Sequence, residues 1–299
     1  MPLPVYAATR YVAPLREGGS LPALVDTDAG GPFVVKFRGA GQGPKVLVAE
    51  ILAGEIARAA GLPVPEIAVV TVDAAFGRTE RDPEIQDLLR ASEGRNVGLA
   101  FLSPALAFDP VATPEMAPPE LAADIVWLDA FTFNIDRTAR NPNLVVAPDP
   151  VPPGMTDAEA DTAGTGPARL WLIDHGVAFY FHHDWSGIDL AARAASPFPP
   201  ISQHVLLPLA GPMADADARM RARLSPGRID AVLDLVPDDL LMATSGGRAP
   251  DFDAPTAFRD AYRAILAPRL ADTAPFVAAA ETARAAAQAG PLRPLAYRR

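Results

Sequence analysis

The chain has 299 residues, 49% of them hydrophobic and 21% charged, which is enough apolar material for an ordinary core in two lobes of one compact body. A formal net charge of -10 at pH 7 disfavours a nucleic-acid backbone or an anionic membrane surface as the main partner. The absence of cysteine excludes disulfides, thiolate metal sites and a cysteine nucleophile. With no signal-peptide pattern and no apolar run of about 18 residues, we expect a cytoplasmic protein.

The first forty residues predict a three-stranded meander. Strands are predicted at residues 11–15, 21–25 and 32–37, separated by turn sequences. The first turn contains Gly18, Gly19 and Ser20, and such a turn can bind phosphate oxygens because glycine lets backbone N–H groups approach closely. An ordinary hairpin turn is the alternative.

One lysine and two glutamates follow in elements that could meet. Lys36 stands alone in an apolar strand, where burial would require an anionic partner; an exposed lysine on the outer face is the alternative. A helix is predicted at residues 44–60, before Gly61. Glu50 and Glu55 lie on this helix about 140° apart, so only one of them can face Lys36, and the helical wheel does not choose between them.

The remaining N-terminal elements are a strand at residues 66–73, a short helix at 83–92 and a strand at 96–102. Near its end the last strand contains Leu99, Ala100 and Phe101, which we predict as a hinge between two lobes; a plain core strand is the alternative. We therefore divide the chain into an N-lobe at residues 1–103 and a C-lobe at 104–299. The proline-rich residues 104–119 would cross between the lobes.

An amphipathic helix at residues 120–133 leads to the sequence N-I-D-R-T-A-R-N-P-N at 134–143, and I-D-H-G follows at 173–176. This order and spacing suit phosphoryl transfer from a metal nucleotide. Asp136 would orient an attacking hydroxyl and accept its proton. Asn141 and Asp174 would hold metal ions through their oxygens, because a hairpin of strands at 144–146 and 170–173 would place them side by side.

The rest of the chain shows weaker patterns. The loop at residues 147–168 is predicted to be disordered rather than functional. His175, His182 and His183 raise the alternative of a metal hydrolase, but adjacent histidines on a strand would face opposite sides. Arginines 259, 263 and 269 are interpreted as a solvated helix face rather than a basic stripe. C-terminal helices are predicted at residues 215–224, 228–236, 237–243, 256–266 and 268–288.

Taken together, four motifs resemble those of the HipA-like kinases, a bacterial branch of the protein-kinase-like fold. They are V-V-K-F at residues 34–37, Glu50 with G-L-x-V-P at 61–65, Asp136 with Asn141, and I-D-H-G at 173–176. The resemblance spans about residues 11–185. Two departures are Thr138, where the family often has histidine, and a short glycine loop.

The resemblance implies an α+β, two-lobed kinase that uses ATP and Mg²⁺ and transfers phosphate to a hydroxyl, in the best-known members a serine of another protein. The implied roles are Lys36 on the nucleotide phosphates, Glu50 rather than Glu55 as its partner, Asp136 as base, and Asn141 and Asp174 as metal ligands. In such a kinase the N-lobe would bind nucleotide, with the hinge backbone at 99–101 on the adenine edge, and the C-lobe would be catalytic. Three alternatives stay open. They are a small-molecule kinase of the aminoglycoside or choline type, which usually has histidine where Asn134 stands, a pseudokinase that binds nucleotide without turnover, and the metal hydrolase.

Overall fold

The computed structural model describes residues 2–15, 21–28, 31–78, 80–150, 166–244 and 249–292. Three of the predicted site residues, Gly18, Gly19 and Ser20, lie outside the described residues, and so does most of the loop predicted at 147–168. No helix in the described ranges is both long enough and apolar enough to cross a membrane.

A five-stranded closed barrel forms the N-terminal part of the described chain, with strand order β1-β2-β3-β5-β4. Its strands are β1 Val5–Pro14, β2 Ala23–Thr27, β3 Pro32–Lys36, β4 Ile67–Val72 and β5 Gly94–Ala100. The predicted meander of the first three strands is confirmed, although β1 begins six residues earlier than expected. Those additional residues pair in parallel with β4, Val5 opposite Val69, and this pairing closes the barrel.

Helix α1, Pro44–Ala59, packs between the barrel and the helical part of the protein, and α2, Pro83–Ala91, lies beyond β4. Proline occupies the first turn of α1, where its missing N–H costs nothing, and Gly61 follows the helix with φ of 77°, a conformation that favours glycine. Most side chains of α1 are buried, so the helix belongs to the main hydrophobic core rather than to the surface.

A small second sheet and a central helix connect the two parts. The sheet has the order β6-β7-β8, with strands Leu106–Ala107, Leu144–Ala147 and Arg169–Leu172, so the predicted hairpin of its last two strands is confirmed. Helix α3, Pro119–Phe131, was predicted to be amphipathic, and that is wrong: residues 122–131 are all buried. The C-terminal helices pack against it, and from residue 122 onward no face is left for solvent.

Six further helices complete the described chain: α4 Leu190–Ala194, α5 Met213–Arg223, α6 Pro226–Leu233, α7 Asp238–Leu241, α8 Pro255–Ala271 and α9 Ala274–Gln288. The boundary predicted at Pro268 is wrong, because this proline lies in the last turn of α8 and α9 begins later. Arg259 and Arg263 pair with aspartates, whereas Arg269 is 1% exposed and does not belong to a solvated face.

Candidate active site

Lys36 lies inside the protein, at the end of β3, where it is 8% exposed. Its Nζ is 2.7 Å from Oε2 of Glu50 on α1 and 2.5 Å from Oδ1 of Asp174. Glu55 instead approaches Arg58 of its own helix. The sequence left the choice between the two glutamates open, and the packing of α1 against the barrel selects Glu50.

Both members of the buried pair are ionised at neutral pH. Burial alone would lower the pKa of Lys36, but the carboxylates of Glu50 and Asp174 raise it above its ordinary value. Burial alone would raise the pKa of Glu50, but Lys36 and the hydrogen bonds from His175 hold it well below its usual range. The lysine therefore presents a permanent positive charge to the site.

The turn that contains Asp174 docks along one stripe of α1. Three residues spaced by four, Val46, Glu50 and Gly54, face it, as the period of an α-helix allows. The His175 N–H donates to both oxygens of Glu50, at 3.1 and 3.0 Å. A Cβ on Gly176 would stand 2.5 Å from a methyl of Val46 and 3.2 Å from the Lys36 Nζ. Glycine is therefore needed at 176 for the turn to approach the ion pair.

Asp136 is half-buried, and amide side chains hold its Oδ2. Asn141 Nδ2 donates to this atom at 2.6 Å and Asn143 Nδ2 at 3.3 Å, while the Asp136 N–H donates to Asn134. Burial and the charge of Asp174 raise the pKa of Asp136, and they outweigh the two amide donors. A carboxylate with a raised pKa is a better proton acceptor than an exposed one, which suits a general base. Asn143 was not among the residues predicted for the site.

The donor atoms near Asp136 fit a magnesium ion. The Asp174 side chain is 38% exposed, and Asn141 uses its nitrogen for Asp136, which leaves its amide oxygen available. Carboxylate and amide oxygens are hard ligands, and magnesium is usually bound by one or two such groups together with substrate phosphates. Consistent with this sparse arrangement, the described ranges contain no group of three or more histidine, cysteine or acidic residues placed to hold a metal.

A second ion cluster, which the sequence analysis missed, lies beneath the loop that contains Asp136. Arg137 is 1% exposed, and its Nε donates to Asp129 Oδ2 at 2.6 Å. His204 Nε2 contacts the same oxygen at 2.8 Å, and Asn134 donates to the other oxygen at 3.0 Å. The only local signal was a basic residue directly after Asp136, because His204 is far away in sequence.

The protonation states in this cluster follow from its hydrogen bonds. Leu206 N–H donates to His204 Nδ1 at 3.1 Å, so that nitrogen accepts and the Nε2–H donates to Asp129. Burial lowers the pKa of His204 although Asp129 opposes the shift, so the ring is neutral. Burial would raise the pKa of Asp129, but Arg137 and His204 lower it. Arg137 also donates to the Asn143 carbonyl, which connects the cluster to the loop's end.

The other histidines do not share a partner. His182 and His183 lie in a 3₁₀ turn, Tyr180–His183, so the argument from opposite faces of a strand does not apply to them. His182 Nδ1 is 2.5 Å from the Tyr262 hydroxyl, and burial lowers its pKa well below the ordinary value. His175 contacts Glu50 instead. These contacts give the Nδ1 atoms of His175 and His182 structural roles.

At the predicted hinge, the barrel already uses two backbone donors. The N–H of Ala100 donates to the Glu66 carbonyl at 2.9 Å, and that of Phe101 donates to Pro32 at 3.0 Å. Leu99 of β5 is 9% exposed and pairs with Val34 of β3. Strand pairing thus continues to Phe101, and the backbone beyond it, at Leu102 and Ser103, follows the end of the barrel.

A cleft of about 760 Å³ elsewhere in the structure contains none of the predicted site residues. It lies between residues 61–66, the start of α3 and β8. The two arginines on its wall are already paired, Arg58 with Glu55 and Arg169 with Asp149. The geometry of Lys36, Asp136 and Asp174 is a better guide to the chemistry than the size of this cleft.

The arrangement of the barrel, helix α1 and the helical part resembles the fold of a solved kinase structure. The chain is similar to the crystal structure of CtkA, a proinflammatory kinase of Helicobacter pylori, with a TM-score of 0.54. The alignment covers 95% of this chain and 98% of the CtkA chain. The sequences are 14% identical, so the likeness is one of fold. The mixed α and β architecture predicted from the sequence is thereby confirmed.

Part of the sequence also matches a protein family. A family model described as HipA-like kinase matches residues 9–152, a range that includes Lys36, Glu50, Asp136 and Asn141. The resemblance to the HipA-like kinases is therefore confirmed over these residues. No curated protein shows a significant match to the chain.

Proposed function

We propose that this protein is an ATP-dependent phosphotransferase that moves the γ-phosphoryl group of Mg-ATP to a hydroxyl, in the simplest case a serine or threonine of another protein. Residues 1–103 form its nucleotide lobe and residues 104–299 its catalytic lobe. The fold, the family match and the placement of Lys36 support this proposal together. A cytoplasmic location and the absence of nucleic-acid and membrane partners stay predictions.

The residues would divide the work as follows. Lys36, held by Glu50, binds the nucleotide phosphates, while the backbone that follows β5 near Leu102 accepts the adenine edge. Asp136 orients the acceptor hydroxyl and takes its proton as the new oxygen–phosphorus bond forms and the bond to the β-phosphate oxygen breaks, releasing ADP. Asn141 and Asp174 would hold Mg²⁺, which supplies charge neutralisation to the phosphates.

The observation that supports the proposal most strongly is the position of Lys36 between Glu50 and Asp174, at 2.7 and 2.5 Å. Burying a lysine between two carboxylates contributes little to stability, because even an ion pair with excellent geometry barely offsets the free energy lost by desolvating its charges. A role in binding a ligand would explain why such charges are buried here. Here Asp174 stays partly exposed on the other side, where a metal and phosphates can reach it. A purely structural ion pair would not need that opening.

A thermal-shift titration with ATP, with and without Mg²⁺, tests the proposal. At 100 times its dissociation constant, a ligand adds about 2.7 kcal/mol of stability, which gives a readily measured shift. We expect metal-dependent stabilisation of the wild type that Asp174→Asn abolishes. Asp87→Asn, an exposed aspartate on α2, is the matched control.

Transfer is then measured with radiolabelled ATP and candidate proteins or small alcohols. Stabilisation by Mg-ATP without transfer or hydrolysis would favour the pseudokinase alternative, and labelling of a small alcohol alone would favour the small-molecule kinase. The absence of stabilisation by any nucleotide would contradict the proposal of an active kinase.

A further inference from the structure

Without the metal that Asn141 and Asp174 would hold, the side chains of the candidate site carry more negative than positive charge. Lys36 is the cation inside it, and two carboxylates, Glu50 and Asp174, already contact its Nζ. Asp136 adds a further negative charge. The proposed Mg²⁺ would offset part of this charge, but phosphoryl transfer also spreads negative charge over three oxygens. A further cation beside the reacting group would therefore still stabilise the transition state.

The loop from Asp136 to Asn143 contains two arginines with different surroundings. Arg137 is buried, and its charge is neutralised by Asp129. Arg140 is exposed, and in the described part of the chain no carboxylate lies within 4.0 Å of its guanidinium. Arg140 therefore has a charge that no carboxylate in the described ranges neutralises, and it lies in the same loop as Asp136.

The backbone holds Arg140 at the tip of a tight turn next to the reacting residues. The Thr138 N–H donates to the Asn141 carbonyl at 3.0 Å, and the Asn141 N–H donates to the Thr138 carbonyl at 3.1 Å. The Arg140 N–H also donates to the Thr138 hydroxyl at 3.3 Å. Since Asn141 contacts Asp136 at 2.6 Å, the neighbouring arginine is fixed at the edge of the site by its main chain, while its side chain remains free to bind a ligand.

We infer that Arg140 is a catalytic residue whose guanidinium binds the phosphoryl group during transfer. This inference rests on the proposed kinase function and adds a residue to it. Arg140 takes no proton: the acceptor's proton goes to Asp136, and the guanidinium only offsets the negative charge of the oxygens as one oxygen–phosphorus bond forms and the other breaks. A planar guanidinium with several N–H donors suits phosphate oxygens.

Arg193 is another arginine to be compared with Arg140. It too lacks a carboxylate partner in the ranges that the structure covers, but its guanidinium donates to the Tyr180 hydroxyl at 3.0 Å and lies 5.0 Å from the Phe181 ring centre. These contacts occupy the side chain and fix the segment around Tyr180. Arg140 has no comparable partner and is the better source of an available charge.

The experiment compares wild type, Arg140→Gln, Arg140→Lys and Arg78→Gln. Arg78 is an exposed arginine between β4 and α2 and serves as the matched control. The readouts are the release of phosphate from Mg-ATP, with water as acceptor, and the affinity for a fluorescent ADP. We expect Arg140→Gln to lower turnover by about 100-fold, the usual effect of removing one charge-stabilising donor. ADP affinity should change by less than about twofold, because the effect arises in the transition state.

Rescue separates catalysis from structure. Arg140→Lys should recover part of the turnover, since lysine keeps the charge but not the planar donor geometry. Turnover of Arg140→Gln equal to that of Arg78→Gln would overturn the inference while leaving the kinase proposal intact, and so would an equal loss of turnover and ADP affinity. A wild type that neither binds nucleotide nor releases phosphate would overturn both.

Discussion

Two buried ion clusters of this protein use the same kinds of side chain and differ in what surrounds them. The Asp129, Arg137 and His204 cluster is closed: each member is nearly inaccessible, and the carboxylate of Asp129 receives donors on both oxygens. The Lys36, Glu50 and Asp174 cluster is open at one end, because the Asp174 side chain is 38% exposed.

The difference separates a structural task from a chemical one. If a side chain of the closed cluster left its partner to bind a ligand, a buried charge would remain without a counter-ion in surroundings of low dielectric constant. The closed cluster is therefore suited only to hold the backbone in place. In the open cluster Asp174 can exchange Lys36 for another cation, since solvent and ligands reach its outer side. The closed cluster supports the loop of Asp136, and the open one is suited to bind ligand.

The largest expected effect is on the closed cluster. Asp129→Asn leaves the buried charge of Arg137 without a counter-ion, which typically costs about 3–5 kcal/mol. The free energy of unfolding, measured by urea denaturation, should fall by this amount, while Asp87→Asn should leave it almost unchanged. A loss below about 1 kcal/mol for Asp129→Asn would show that the closed cluster does not hold the loop in place.

A steric change at the open cluster should cost less. Gly176→Ala puts a Cβ 2.5 Å from Val46, and overpacking of this kind typically costs about 1–3 kcal/mol. It should also weaken nucleotide binding, because the Lys36 Nζ would lie 3.2 Å from the new atom. The control is Gly41→Ala, whose Cβ would have no neighbour within 4 Å. Equal melting temperatures for the two variants would contradict the tight docking of the turn.

Acid should weaken the closed cluster through His204. Burial lowers its pKa in the folded protein, so the unfolded chain binds a proton near pH 6.5 that the folded one does not. Stability is therefore lost as the pH falls below 6.5, with a slope of up to about 1.4 kcal/mol per pH unit from this residue.

Urea titrations between pH 7.5 and pH 5 measure the slope. His204→Asn should lower stability at every pH but reduce its dependence on pH. A variant with the slope of the wild type would mean that His204 titrates normally in the folded state.

The smallest effect on stability is expected for Asp174→Asn, the same chemical change as Asp129→Asn in the other cluster. A partly exposed partner of a lysine typically contributes less than about 1 kcal/mol, since water screens it. Unfolding should hardly change, although Mg-ATP-dependent stabilisation should be lost. A destabilisation as large as that of Asp129→Asn would erase the distinction between the two clusters.

Local signals in the sequence were enough for much of the fold and for the candidate site. Turn residues and the alternation of apolar and polar residues predicted the first three strands. The predicted end of the helix at residues 44–60 lies one residue from the observed end of α1. The spacing of Asp136, Asn141 and Asp174 singled out these residues because each role needs a particular functional group at a fixed distance along the chain. Their catalytic roles themselves stay predictions.

The tertiary structure decided the features that depend on residues far apart in sequence. Glu50 rather than Glu55 meets Lys36 because of how α1 packs against the barrel, and β1 closes the barrel through pairs such as Val5 with Val69. Asp129 and His204 are brought together by the burial of α3, which its own pattern of apolar residues did not predict. Periodicity and spacing report only local geometry, whereas ion pairs in a core depend on which elements pack together, and packing is a property of the whole chain.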